Sequence, residues 1–427
     1  MRLLLPNPQE LEEQLPTIVR LRGPEICLRC RFTKLLCGRP TCPILLKISS
    51  YSRVSQNLNR ELNGSSPPAV FVGRYGYPRL SLGPLMPPEQ GDTAYFDEPE
   101  RWHGLDFEDV VNLRMSMVRG RKEVSVYDAK DPQGILYELQ CMLLSSRSVD
   151  AELEFSKKPR ASGFVDDTSP PFGPSAPLEK YRFSPGRTDK RIEKAYYDTD
   201  LNASDGMFSL YDSGVSVNTL QKLLSTGMLG VDRHRKLVPT RWSITAVDDT
   251  LSKFLLKNIK TYETIDLFHV FIHDMLGSRY VIIMAPLTFS YEWVEAWFPR
   301  TLWNPSGSQA TSIGDHEGFE GRTTYAEPGG CYYSVRLAVS EYLSRLRRQA
   351  TVVAFREIYP GQVLPLGVWN VREAVRIALN SQPVVFDDLK DALSYSLSKL
   401  TLGRSFWLSN SYLLRELISQ TRLERFV

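Results

Sequence analysis

The chain of 427 residues carries 52 basic and 49 acidic side chains, a net charge of +3, and is 42% hydrophobic and 24% charged. That balance buries sizeable cores and excludes a disordered or collagen-like chain, while the overall charge does not announce a nucleic-acid binder. No apolar run reaches the roughly 18 residues of a membrane helix, and the opening Leu3-Leu4-Leu5 is too short for a secretory signal, so a non-membrane, cytoplasmic protein is expected.

Chemistry appears first at residues 20–47. Cys27, Cys30, Cys37 and Cys42 form a C-x2-C-x6-C-x4-C pattern. In a reducing compartment such clustering favours a metal over disulfides. Four thiolates close a tetrahedral shell around Zn2+ and leave no open position for substrate, so a structural zinc ion is expected. An iron–sulfur cluster is the alternative, because Cys42-Pro43 resembles the end of cluster-binding runs; free thiols are the bland reading. Cys141 and Cys331 stand alone and read as core thiols. Residues 20–60 hold nine Lys and Arg against Glu25 alone, a local charge of +8 that leaves −5 for the rest. A basic, metal-stiffened module suits phosphate backbones, with Arg29, Arg31, Lys34 and Arg39 as the expected contacts. The plainer reading is a solvated rim.

Residues 69–72 read as a buried strand ending at Gly73. Helical spacing follows at 107–119, then a strand at 124–127 and a helix at 135–144. Six prolines between Pro159 and Pro185 suggest a long loop or linker. Helices are expected at 219–229 and 247–259, and two strands, 268–272 and 280–284, joined near Gly277. A polar stretch from 304 to 330 marks the most plausible boundary. Beyond it come helices at 332–348, 371–379, 389–402 and 411–419, with Asn370 and Glu373 as an approximate capping box. The fold class is therefore α+β (mixed α/β): a zinc-binding basic module (20–47), a large mixed α/β N-terminal domain (48–303), a mainly helical C-terminal domain (304–419) and a tail (420–427).

No phosphate-binding glycine loop or H-E-x-x-H pattern is present. The best candidate for a nucleotide pocket is Arg241 with Trp242, since a guanidinium beside an indole grips a phosphate and stacks a base. Tyr196 and Tyr197 add stacking surface, with Asp198 and Asp200 as polar neighbours. Trp242 packed in the core is the plainer reading. Asp248 and Asp249 are candidates for Mg2+ beside phosphates; capping of a helix that begins there is the structural reading. Whether any reaction is catalysed is open.

The last eight residues do not suit the helix they follow. Leu413, Leu414, Leu417 and Ile418 share one helical face, whereas Leu423 and Phe426 would point the other way. Their pattern looks like the clamp-binding box of proteins that dock on replication sliding clamps. That likeness makes Gln420 the amide anchor and Leu423, Phe426 and Val427 the apolar plug, with Val427 departing from the usual second aromatic.

The cysteine cluster, the tail and the internal runs 70–78, 101–106, 195–201, 237–245 and 364–369 together resemble the archaeal Nre family of DNA-repair proteins, in its clamp-binding NreA branch. The resemblance covers essentially the whole chain. It implies a larger N-terminal domain, a smaller C-terminal one, a repair role and recruitment by the sliding clamp, with DNA as the other partner. Two further readings stand beside it: a nucleotide- or DNA-end-processing enzyme with its pocket around Arg241, and an RNA-binding or RNA-modifying protein.

Overall fold

A computed structural model describes residues 29–31, 33–56, 58–160 and 173–424, with side chains to residue 419. The first part of the chain forms α1 (Pro43–Ser55), β1 (Glu61–Ser66), β2 (Ala69–Val72), β3 (Arg79–Met86), α2 (Phe107–Ser116), β4 (Val118–Ser125), α3 (Gly134–Leu143), β5 (Val149–Phe155) and β6 (Ser175–Phe183). Its six strands make one sheet in the order β1-β5-β6-β4-β3-β2. Pairing is antiparallel except between β4 and β6. The helices α4 (Lys190–Tyr197), α5 (Ala203–Asp212), α6 (Val217–Ser225) and α7 (Thr240–Ile259) follow. One face of the sheet buries Val70, Leu80, Leu82, Leu153 and Phe155 against Leu136 and Leu139 of α3, Leu220 and Leu223 of α6, and Val247 and Leu251 of α7.

The second sheet contains β7 (Phe268–Met275), β8 (Ser278–Ala285), β9 (Ser290–Trp297), β10 (Thr311–Glu317), β11 (Thr351–Ile358) and β12 (Val384–Phe386), with α8 (Gly330–Leu346) and α9 (Val368–Asn380) between strands. Its order is β10-β9-β11-β8-β7-β12. Period-two alternation divides its side chains between two helical layers. Tyr280, Ile282 and Met284 face α8 and α9. Val281 and Ile283 face α10 (Leu389–Ser398), α11 (Arg404–Asn410) and α12 (Tyr412–Glu424), through Leu393, Trp407, Leu413 and Leu414. Strand β11, covered on both sides, is buried along its whole length.

The mixed α/β class thus takes the form of two six-stranded sheets and twelve α-helices among the described residues. The boundary expected at 303/304 lies within the span of one sheet. It falls between β9 and β10, which are hydrogen-bonded neighbours, and β11 from beyond it pairs with both β8 and β9. Residues 304–419 therefore complete a sheet begun before the boundary. The proline-rich stretch expected as a loop or linker contains β6, where Pro177 pairs across to Arg121. Asn370 caps nothing, because α9 already starts at Val368 behind Gly367.

Candidate functional site: the leading edge of α7

Helix α7 starts seven residues earlier than the sequence suggested. Pro239 precedes its first residue, and the Pro239 carbonyl accepts hydrogen bonds from the backbone N–H groups of Trp242 (2.8 Å) and Ser243 (3.0 Å). Thr240 pins this start to two neighbours. Its hydroxyl accepts from the Val72 N–H at the end of β2 (2.9 Å) and shares a hydrogen bond with the Ser225 hydroxyl at the end of α6 (3.1 Å). The buried stripe of α7 is Ser243, Val247, Asp248, Leu251 and Ser252. Arg241 and Trp242 are left on the outside, with Trp242 54% exposed. The core reading of Trp242 is therefore overturned.

Helices α8 and α9 begin beside this first stretch of α7. A side chain on Gly330 would lie 2.8 Å from Val368 and 3.4 Å from the Thr245 hydroxyl, so glycine permits the close approach. Further along, Arg372 of α9 reaches both carboxylate oxygens of Asp248, at 2.8 and 3.0 Å. Arg336 of α8 bonds Asp249 and, at 3.1 Å, the Ser252 hydroxyl. Arg376 of α9 grips Glu341 of α8 at 2.6 and 2.8 Å. These contacts advance in step along all three helices. The helices therefore run the same way, with their partially positive N-terminal ends gathered at one edge.

The same pairs engage two of the acidic candidates. Asp248 is wholly buried, and burial pushes its carboxyl up while Arg372 and Arg376 pull it down. Asp249 is held by Arg336 and by Lys253 at 2.8 Å. Both lie inside α7, so neither caps a helix, and both clamp helix to helix. Asp198 accepts from the Leu201 N–H at 3.1 Å, closing a turn, and Asp200 is exposed. Tyr196 and Tyr197 gather about Arg235. The Tyr196 hydroxyl donates to the buried Gln140 at 2.9 Å, Arg235 lies 5.3 Å over the Tyr196 ring, and Tyr197 meets Tyr196 edge-on at 5.1 Å. None of the described contacts joins them to Arg241.

Aromatic groups not read as site residues from the sequence lie on segments tied to the start of α7. Three segments are tied together here by backbone bonds: Val126 N–H to the Pro78 carbonyl, Leu237 N–H to the Val126 carbonyl (both 2.9 Å), and the Val72–Thr240 bond. They display Tyr75, Tyr77 and Tyr127, which are 76%, 57% and 47% exposed. Arg74 lies over the Tyr75 ring at 4.8 Å and Lys236 over Tyr127 at 5.4 Å. A hydrogen bond with Tyr127 raises the pKa of the Tyr77 hydroxyl. These linked segments thus carry four accessible rings together with Arg74, Lys236 and Arg241. The usable signal was present in the run Arg74-Tyr75-Gly76-Tyr77, whose alternation leaves large aromatics on a turn with no apolar neighbours to bury them.

Two family models match the chain: archaeal Nre, N-terminal, over residues 36–304, and archaeal Nre, C-terminal, over residues 317–426. The chain belongs to the archaeal Nre family. Among relatives of this Nre protein, "DNA repair protein NreB" of Archaeoglobus fulgidus is 47% identical over 91% of the chain and 97% of its own length. "DNA repair protein NreA" of the same organism is 38% identical over 86% and 92%. "DNA repair protein NreA" of Haloferax volcanii is 34% identical over 78% and 81%. Identity is higher to the NreB-named relative, so these similarities do not single out the NreA branch. No solved structure matches significantly.

In the cysteine module, Cys30 is buried and Cys37 and Cys42 are half-buried, while Cys27 lies outside the described residues. Cys42 occupies the N-cap of α1, and Gly38 turns the chain at φ +70°. Among the described residues no group of three or more His, Cys, Asp or Glu is placed to hold a metal ion. Arg29, Arg31 and Lys34 are exposed, and Arg39 donates to the Arg300 carbonyl at 3.3 Å. Cys141, read as a core thiol, is exposed: α3 turns Gln140 inward in its place. The backbone of α12 continues to Glu424. The side chains of Gln420 and Leu423, and residues Phe426 and Val427, lie outside the described residues. No described helix is long and apolar enough to cross a membrane.

Proposed function

We propose that this Nre protein is a DNA-repair factor that holds a single-stranded stretch of DNA on the leading edge of α7. In the same reading the tail, through Gln420, Leu423, Phe426 and Val427, tethers it to the sliding clamp, and the basic cysteine module, carrying zinc, adds phosphate contacts. The observation that carries the proposal is Trp242, more than half exposed beside Arg241 and fastened to a surface that also displays Tyr75, Tyr77 and Tyr127. Unstacked bases find π-faces there worth about 1–3 kcal/mol each, and the neighbouring cations match the strand's phosphates. The repair names of relatives spanning nearly the whole chain support DNA as the strand. A clamp tether raises the local concentration of this surface at DNA without requiring tight binding by the surface itself.

Fluorescence anisotropy with labelled single-stranded DNA, duplex DNA and RNA of equal length tests the proposal. Single-stranded DNA is expected to bind best, and Trp242→Ala to weaken it about tenfold, the loss of one stacked base, with no change in melting temperature. Equal binding by wild type and variant contradicts it, and a clear preference for RNA replaces it with the RNA-binding reading. The enzyme reading around Arg241 is weakened because Asp248 and Asp249 are engaged by Arg372 and Arg336.

A further inference from the structure

We infer that Arg119 and Arg121, on the outer face of the first sheet, form a seat for a phosphate group. The two arginines are two apart on β4 and so share a face. Arg119 is held in place before any ligand arrives. Its guanidinium lies 4.1 Å over the Phe71 ring, and Nη2 donates to the carbonyl and the hydroxyl of Ser81, both at 3.3 Å. Nε is sealed from solvent without an acceptor. Nη1 has no acceptor among the described residues and is not sealed.

What sets Arg119 apart is its missing counter-charge. Arg356 holds one carboxylate, Arg336, Arg372 and Arg376 hold two each, and Arg114 faces Asp97. Among the described residues no carboxylate lies within salt-bridge distance of Arg119, and the neighbouring charge is another cation. Burial, and then Arg121, push the Arg119 pKa down to about 9. The group is still charged at neutral pH, but at a cost that a bound anion removes. A planar guanidinium fixed by stacking, beside a second exposed arginine, suits the several oxygens and double charge of a phosphate.

The position suggests which phosphate. Gly73, first residue of the loop that displays Tyr75 and Tyr77, lies against both Ser81 and Arg119: a Cβ there would be 3.7 Å from Nη2. A strand stacked on those tyrosines would pass its backbone toward this seat. This assignment to a DNA backbone rests on the function proposed above, whereas the seat itself does not.

The two are separated by testing the full-length protein with inorganic phosphate and with a labelled oligothymidylate of about 12 nucleotides. Thermal unfolding in phosphate against chloride at matched ionic strength is expected to show a rise in melting temperature that Arg119→Gln and Arg121→Gln each lose. Should Arg119→Gln fold poorly, Arg119→Lys and the exposed Arg121→Gln carry the test. No phosphate-specific rise, or one that survives in Arg121→Gln and Arg119→Lys, overturns the seat. Oligonucleotide affinity is expected to fall about tenfold in Arg121→Gln, with the salt slope reduced by about one. Phosphate binding lost with unchanged oligonucleotide affinity keeps the seat and overturns its assignment to DNA. An oligonucleotide that wild type fails to bind sinks the proposed function, and the phosphate arm then decides the seat alone.

Discussion

The Asp248–Arg372 pair decides between a structural and a catalytic use of the acids on α7. Asp248 is 0% and Arg372 2% exposed, and one guanidinium nitrogen reaches both carboxylate oxygens. Replacing Asp248 by Ala would leave Arg372 buried with only Glu373 at 3.4 Å beside it. Removing one partner of such a pair costs about 3–5 kcal/mol, because the surviving charge stays desolvated. Arg372→Met is expected to cost a similar amount. The double replacement Asp248→Leu with Arg372→Met leaves neither charge behind, so its cost should fall well below the sum of the singles. Urea unfolding followed by tryptophan fluorescence gives all three values. Single replacements costing under about 1 kcal/mol, the range of an exposed pair, or a double variant equal to the sum, would refute the clamp. Stabilisation by Asp248→Ala would point instead to an acidic site awaiting a cation.

The other predictions concern separate parts of the chain. Glu292 is buried on β9 and accepts from the Ser411 hydroxyl and from the Tyr412 and Leu413 N–H groups, at 2.6 and 3.0 Å for the latter two. Burial outweighs these bonds and holds its pKa above the ordinary value. A raised carboxyl pKa means that the unfolded chain ionises first, so this group's contribution falls as pH rises from about 4.3 through the folded value. The stability difference between wild type and Glu292→Gln, from urea midpoints, should fall across that window and level above it; a rise would contradict the assignment. Metal analysis of purified protein should find a single zinc ion, lost in Cys37→Ser with Cys42→Ser; iron with visible absorbance would contradict zinc. Deleting 420–427 should abolish calorimetric binding to the sliding clamp while leaving the melting temperature unchanged, since Leu413, Leu414 and Leu417 still anchor α12. Unchanged clamp binding removes the tether.

Periodicity and turn residues carried part of the fold. The hairpin of β7 and β8 turns at Leu276 and Gly277, both at positive φ, near the glycine from which it was expected. Helix α3 and the buried strand β2 also lie within a residue or two of their expected positions. Strands with polar or irregular sequence were hidden. β1 reads Glu-Leu-Asn-Gly-Ser-Ser and is held by its pairing to β5, a contact ninety residues away that local patterning does not encode. The start of α7 was obscured by Trp242, Ile244 and Thr245, bulky or β-branched residues with modest helix propensity; close packing of Thr245 against Gly330 overrides it. Arg241 and Trp242 were legible as a candidate pair because their chemistry is local. The loss of Asp248 and Asp249 to ion pairs was not, since their partners lie 124 and 87 residues away.

The central claim is that a nucleic-acid strand lies across Tyr75, Tyr77, Tyr127 and Trp242. Photo-crosslinking of the full-length protein to single-stranded DNA carrying 5-iodouracil, followed by mass spectrometry of the adducts, reads the strand's position directly. Adducts on residues 73–78, 126–127 and 240–242 are the predicted result. Adducts confined to other surfaces, such as the basic cysteine module alone, would contradict it.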